Sequence, residues 1–419
     1  MTAVEVCDEL VILDIGADIE RAKKKNKNFG DIDSDKAVEE NIVPDDSNLR
    51  SRKENVVAII IGHGHQDHCL GVPKLADDYN CPIIATPYTV SVIQRLLDND
   101  KEDITNDLIS LESGESMEIS NNIDLEFAPA AHSIPQTVLP ILRTCEGTIV
   151  YSLDFKFDEN PTLEESLNED KLKNLSREGV KALIVDCTRA DEPGKADSES
   201  SVKNELENIL DKTYEKDKGV IITTFSSHIE RVKNIIEANE ERREVIMLGR
   251  SLKEYVKDAE KHSLIDPSDI KITNNPFEIE KLLAKASKNK SEYLLLTTGS
   301  QGEPNAILPR IAKNKYPYNF EKNEMVIFSS TTIPTQINRL NTSLLKRRLE
   351  KEGVEVKDEV HSHGHAKRED QRKLFRLLEP ETIIPAHGGK DKQTSCATLA
   401  EEEKIKIKIS KNKKTISLD

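Results

Sequence analysis

Val56-Val57-Ala58-Ile59-Ile60-Ile61 runs through Gly62 into His63-Gly64-His65-Gln66-Asp67-His68, with Gly71 close behind. Six apolar, mostly β-branched residues predict a strand, and the polar run that follows predicts the loop at its end. Imidazole and carboxylate are ligands that hold zinc at neutral pH, and an H-x-H-x-D-H loop can aim two sets of them at two neighbouring ions. A lone histidine is usually structural. Here eight of the ten histidines fall in four short places: His63, His65 and His68; His132; His361, His363 and His365; and His387. Each adjoins a predicted strand end, where α/β folds gather functional loops.

Outward from this loop, residues 1–190 alternate short apolar runs with helical stretches. Leu10-Val11-Ile12-Leu13, Pro82-Ile83-Ile84-Ala85, Thr148-Ile149-Val150-Tyr151 and Ala182-Leu183-Ile184-Val185 read as strands of an α/β sandwich. Residues 26–54 are polar and charge-rich, and predict an exposed excursion with no core of its own. From about 195 the pattern becomes amphipathic helices (200–212, 228–239) alternating with strands Val220-Ile221-Ile222-Thr223-Thr224, Val245-Ile246-Met247-Leu248 and Tyr293-Leu294-Leu295-Leu296-Thr297. That predicts a second, doubly wound layer over 191–350. Strands near Val354-Glu355-Val356 and Thr382-Ile383-Ile384-Pro385 then lead into the last histidine loops, so the first domain is expected to resume over 351–419.

At 419 residues the chain is long enough for two or three domains. Its net charge of -16 disfavours a surface that attracts nucleic acid everywhere, while leaving room for a locally basic channel. Six scattered cysteines without a CxxC pair give no disulfide framework, and most of them are expected to be buried small apolar residues. No apolar stretch approaches the ~20 residues that span a bilayer, and no signal-like start is present. The expected location is cytoplasmic.

Further ligands should come from later strand ends. His132 in Ala131-His132-Ser133-Ile134-Pro135 and Asp154 in Tyr151-Ser152-Leu153-Asp154-Phe155 stand where they are needed, and a carboxylate can bridge two ions. His63–His68, His132-Ser133-Ile134-Pro135, Asp154-Phe155-Lys156-Phe157-Asp158, Thr298-Gly299-Ser300-Gln301-Gly302-Glu303-Pro304, His361-Ser362-His363-Gly364-His365-Ala366 and Pro385-Ala386-His387-Gly388 together resemble the ribonuclease J family. That family is part of the β-CASP group of the metallo-β-lactamase superfamily, and the likeness is to its archaeal type, without a C-terminal domain. It covers nearly the whole chain.

The resemblance implies a metallo-β-lactamase αββα sandwich interrupted by an α/β β-CASP domain, and a pair of zinc ions, with manganese the other candidate. One ion would take His63, His65, His132 and Asp154; the other Asp67, His68, Asp154 and His387. Asp67 and His365 would be catalytic, His365 as the acid beside the leaving oxygen. His361, Ser362, His363, Gly364 and His365 would hold substrate phosphate, although the family usually reads His-Val-Ser-Gly-His there. Asp14 and Asp186 would orient ligands from behind.

The implied substrate is single-stranded RNA with a 5′ monophosphate, degraded from 5′ to 3′, with endonuclease activity and homodimerisation left open and no membrane partner. A β-CASP endonuclease of RNA 3′-end processing, a non-catalytic RNA-binding scaffold and a small-molecule hydrolase of the same fold are the alternatives. Ser226, Ser227 and His228 stand at a strand-to-helix turn where related proteins seat a phosphate. Lys367, Arg368, Arg372, Lys373 and Arg376 either line an RNA path or are ordinary surface charges. Relatives usually begin with a Gly-rich strand before the stretch matching Met1 to Val6, so the first sheet is expected to lack one edge.

Overall fold

The computed structural model describes residues 1–24, 29–163 and 165–418. Contacts divide the chain into two compact units. One comprises Met1–Glu159, Glu164–Ala196 and Gly364–Asp419; the other comprises Asn160–Leu163 and Asp197–His363.

The first unit holds two sheets. In the five-stranded sheet the order is Thr2–Val6, Glu9–Leu13, Val56–Ile61, Ile83–Ala85, Leu108–Ser110, antiparallel only at its first pair. The seven-stranded sheet runs Lys406–Ile407, Thr382–Ala386, Val180–Asp186, Gly147–Ser152, Val138–Thr144, Ile123–Pro129, Ser116–Ser120. Alternate residues of each face the other: Val11, Leu13, Ala58 and Ile60 share one buried cluster with Leu125, Phe127, Leu142 and Tyr151. On its far side the second sheet sends Leu139, Ile141, Val150, Leu183 and Val185 against Leu172, Leu175, Leu374, Phe375, Cys396 and Leu399. Those last six lie on the helices Glu169–Glu178, Arg368–Leu378 and Lys390–Glu402. The helix Pro87–Asp100 packs beside Ile83–Ala85 and buries Tyr88, Val92, Ile93, Leu96 and Leu97 at helical spacing. This is the αββα sandwich expected.

In the second unit six strands are all parallel, in the order Lys271–Thr273, Glu244–Leu248, Tyr293–Thr297, Val220–Thr223, Met325–Phe328, Glu355–Lys357. Its core joins Ile221, Ile246, Leu295 and Val326 to Ile279, Leu283, Leu345 and Leu349 from the helices Pro276–Lys288 and Gln336–Lys351.

Two local readings change. The strand read near Val354 to Val356 as the start of the returning first domain pairs instead with Met325–Phe328, so it is the edge of the second unit's sheet. A three-residue strand carries no mark of which sheet it joins. The excursion 26–54 is not coreless: Ile32, Ala37, Ile42 and Val43 are buried, and buried Asp46 accepts hydrogen bonds from Tyr79 Oη (2.8 Å) and Arg50 Nε (2.9 Å). Four apolar residues among many charges show no periodicity, which hid them; residues 26–28 lie outside the described residues. No helix among the described residues is long and apolar enough to cross a membrane.

Candidate metal centre

The strand Val56–Ile61 ends at Gly62, and the chain then turns so that His65 caps the short helix Gln66–Cys69. His63 and His68 are buried and Asp67 is exposed. The loop is clamped by its neighbour Asp14, which follows the strand Glu9–Leu13 at φ 57. Asp14 Oδ1 accepts from Gly62 N at 3.0 Å, and Oδ2 accepts from Tyr151 Oη at 2.9 Å and from His68 Nδ1 at 2.7 Å. Gly16 sits so close to the loop that a Cβ there would be 1.6 Å from the Asp67 carbonyl oxygen, which only glycine permits.

His132 follows the strand Ile123–Pro129, Asp154 the strand Gly147–Ser152 and His387 the strand Thr382–Ala386. Asp154 and His387 take positive φ values of 47 and 51. With Asp14 these make three non-glycine left-handed residues around one site, a conformation that persists only where surrounding structure enforces it.

One ligand atom each from His63, His65, His132 and Asp154 lie within 4.8 Å of one another, and so do those of Asp67, His68, Asp154 and His387. Asp154 belongs to both groups. Its Oδ2 lies 3.5 Å from His63 Nε2, 3.4 Å from His132 Nε2 and 3.3 Å from His68 Nε2. Its Oδ1 lies 3.4 Å from His387 Nε2, which is 3.6 Å from Asp67 Oδ2. His65 Nδ1 is 3.1 Å from His132 Nε2. Ligands about 2.0–2.1 Å from a tetrahedral zinc ion stand about 3.3 Å from each other. The spacing therefore fits a cation of that size.

The donors also fit chemically. His63 Nε2, His68 Nε2 and Asp154 Oδ1 are buried without a hydrogen bond, a state proteins otherwise avoid. The far nitrogens of two rings are held: His68 Nδ1 donates to Asp14, and His132 Nδ1 donates to the Gly364 carbonyl at 2.7 Å. Each hydrogen bond orients its ring so that Nε2 faces the cluster. A Cβ at residue 364 would stand 2.5 Å from His132 Nδ1, so glycine there is what lets this carbonyl approach.

Electrostatics agree with a site built for positive charge. Burial lowers the pKa of His63 and His132, and burial together with the neighbouring His63 lowers His65 to about 3, so these rings are neutral donors. Burial opposes the charge of Asp154, yet the His387 and His68 rings hold its pKa well below the usual carboxylate range.

His365 joins the same unit, with Nδ1 2.9 Å from Asp186 Oδ2 and its ring against that of His132. Burial alone would lower its pKa, but the Asp154 and Asp186 carboxylates raise it to about 9. Asp186 Oδ1 accepts from the Thr188 backbone N–H at 2.7 Å, and the Thr188 hydroxyl lies 2.9 Å from the His387 carbonyl, to which it can donate. Sequence reasoning missed Tyr151, Thr188 and the Gly364 carbonyl. Only the Thr188 spacing, two residues beyond Asp186, offered a local signal.

Of the remaining candidates, Gly364 belongs to the first unit with His365, whereas His361, Ser362 and His363 belong to the second. There Arg231 donates to the Val360 carbonyl (3.1 Å), and its guanidinium lies 3.2 Å from His361 Nδ1; the Ser362 hydroxyl donates to the Asp197 carbonyl. Buried His228 lies 3.4 Å from Glu199 Oε1, and Ser226 Oγ is 2.9 Å from Ser251 Oγ. Arg368, Arg372, Lys373 and Arg376 are engaged by carboxylates of Glu169, Glu369, Glu402 and Glu403. Those four basic residues are thus already paired.

Three domain families match in sequence order: the beta-lactamase superfamily domain over 40–196, the Ribonuclease J beta-CASP domain over 217–346, and the Zn-dependent metallo-hydrolase RNA specificity domain over 346–410. A crystal structure of an Enterococcus faecalis protein superposes with a TM-score of 0.68 over 98% of this chain and 94% of that one, at 14% identity, a likeness of fold alone. Ribonuclease J of Pyrococcus abyssi is 39% identical over 96% of this chain and 90% of its own length. Ribonuclease J of Methanocaldococcus jannaschii is 40% identical over 97% of this chain and 92% of its own. At that identity and coverage, the chain belongs to the ribonuclease J family.

Proposed function

We propose that this chain is a zinc-dependent ribonuclease that degrades single-stranded RNA from its 5′ end. One ion would be held by His63, His65, His132 and Asp154, and a second by Asp67, His68, Asp154 and His387. The observation that carries the reading is the carboxylate of Asp154, whose two oxygens face both groups of donors. Bound there, a pair of zinc or manganese ions would act as Lewis acids, lowering the pKa of a water molecule and neutralising charge on the phosphate.

The chain's own groups do the rest. Asp14 and the Gly364 carbonyl fix the His68 and His132 rings, so that the donors need not reorganise when charge develops. Asp186 accepts from His365 Nδ1, which leaves Nε2 as the nitrogen that delivers a proton to the departing 3′ oxygen. Gly364 and His365 would contact the phosphate backbone.

RNA labelled at one end or the other tests the direction. The expected result is labelled mononucleotide from 5′-labelled, 5′-monophosphorylated RNA, a shortening ladder from 3′-labelled RNA, and slower decay with a 5′ triphosphate. Internal fragments from both labels, or cutting of a circular RNA, would instead favour an endonuclease. RNA binding without turnover in zinc or manganese would favour a scaffold. Self-association belongs to the same proposal: Ile337, Leu340 and Leu344 are exposed at spacings of three and four on the helix Gln336–Lys351, the face a second copy would cover. Sedimentation of wild type against Leu340→Glu tests it, with a shift to monomer expected.

A further inference from the structure

Away from the histidine cluster, the first unit brings together two cysteines that the sequence keeps 138 residues apart. Cys7 and Asp8 form the two-residue turn between the strands Thr2–Val6 and Glu9–Leu13, closed by the pair Val6 and Glu9. Cys145 and Glu146 form the equivalent turn between Val138–Thr144 and Gly147–Ser152, closed by Thr144 and Gly147. Each turn therefore reads cysteine, then acid. They belong to different sheets of the sandwich, yet Cys7 Sγ, Cys145 Sγ and a Glu146 carboxylate oxygen lie within 4.8 Å of one another.

Neither turn explains its cysteine. Cys7 and Asp8 have φ of 50 and 66, the left-handed pair of a tight hairpin turn, where Asn, Asp and Gly are favoured and cysteine gains nothing. Cys7 and Cys145 are both exposed, whereas Cys69, Cys81, Cys187 and Cys396 are buried as small apolar residues. The second turn is pinned: Thr144 Oγ1 donates to the Gly147 carbonyl at 2.7 Å and accepts from Glu146 N at 3.2 Å. Two thiols and a carboxylate are so presented to solvent from a fixed frame.

We propose that Cys7, Cys145 and Glu146 form a surface site for a thiophilic divalent cation such as zinc or cadmium, tying the two hairpins together. Zinc binds sulfur at about 2.3 Å and carboxylate oxygen at about 2.0–2.2 Å, which places tetrahedral ligands roughly 3.4–3.8 Å apart, within the observed spread. The fourth position is left to water. On binding, both thiols release their protons to solvent, and the two thiolates with the carboxylate more than balance the charge of the cation.

The surroundings favour a cation over a redox role. Reactive cysteines sit in electropositive places that stabilise a thiolate. Here a hydrogen bond with Cys145 and the carboxylates of Glu146 and Glu9 raise the Cys7 thiol to about 11, so that thiol stays protonated and slow to attack a disulfide. The same carboxylates draw a divalent ion.

Cadmium titration of the reduced full chain, followed by ultraviolet thiolate-to-metal absorption, reads this site apart from the histidine cluster, whose donors include no thiol. The expected result is a band saturating at one equivalent in wild type and in His65→Ala, absent in Cys7→Ser and Cys145→Ser, with affinity at least about ten-fold weaker in Glu146→Gln. A wild-type chain without the band at stoichiometric cadmium overturns the proposal, as does a band that survives Cys7→Ser. If a serine variant misfolds by circular dichroism, the Glu146→Gln affinity decides, and an unchanged affinity counts against the site. A Cys7–Cys145 disulfide in the isolated protein, with no cadmium uptake after reduction, also overturns it.

Discussion

His68 Nδ1 lies 2.7 Å from Asp14 Oδ2, and that contact couples the end of one strand to the loop that follows its neighbour. Asp14 holds this ring while its carboxylate also accepts from the Gly62 amide and from Tyr151. Asp14→Ala should thus weaken zinc binding about 10–100-fold while leaving the fold intact. Competition with a chromogenic chelator measures this, and an unchanged affinity would show that Asp14 only caps its turn.

Asp154 faces both donor groups, whereas His65 faces one. Metal analysis of purified variants should therefore find Asp154→Ala depleted of both ions and His65→Ala of one. RNA turnover should fall in each by at least about 10³-fold, as for removal of a metal that stabilises developing charge. Equal metal content in the two variants would contradict a shared carboxylate.

In the second unit, Arg231 is fully buried, with Nε 2.9 Å and Nη2 2.6 Å from the two oxygens of Glu199, and it also donates to the carbonyls of Ser329 (3.0 Å) and Val360 (3.1 Å). Removing one partner of a buried, bidentate pair strands the other charge. Arg231→Met should destabilise this unit by about 3–5 kcal/mol in urea denaturation, and adding Glu199→Leu should recover part of that loss. A single-variant loss below about 1 kcal/mol would sink the argument.

Glu126 supplies an acid-sensitive tie on the outer sheet. Burial would raise its pKa, but Lys171 and Arg143, the latter 2.5 Å away, lower it below the ordinary value. A depressed folded pKa gives stability that is present above the unfolded pKa, about 4.3, and lost as pH falls through the folded value. Stability measured from pH 6 downward should consequently drop below about pH 4.5 less steeply in Glu126→Gln than in wild type. Parallel slopes would remove Glu126 from the account.

Sequence alone determined many of the strands and the loop His63 to His68, because a continuous six-residue apolar run and a ligand pattern six residues long are local properties of the chain. The alternation of strand and helix patterns also marked an α/β sandwich and a second, doubly wound layer, whereas the αββα arrangement came from the family resemblance. Only the tertiary structure decided who stands behind each ring. Tyr151 reaches Asp14 across 137 residues and the Gly364 carbonyl reaches His132 across 232, distances over which spacing carries no information. The same is true of the short strand Glu355–Lys357, of the buried residues within 29–54, and of Cys7 meeting Cys145. Each of these depends on sheet register and on how one hairpin tip falls beside another, and register is set by the whole buried face, not by any one stretch.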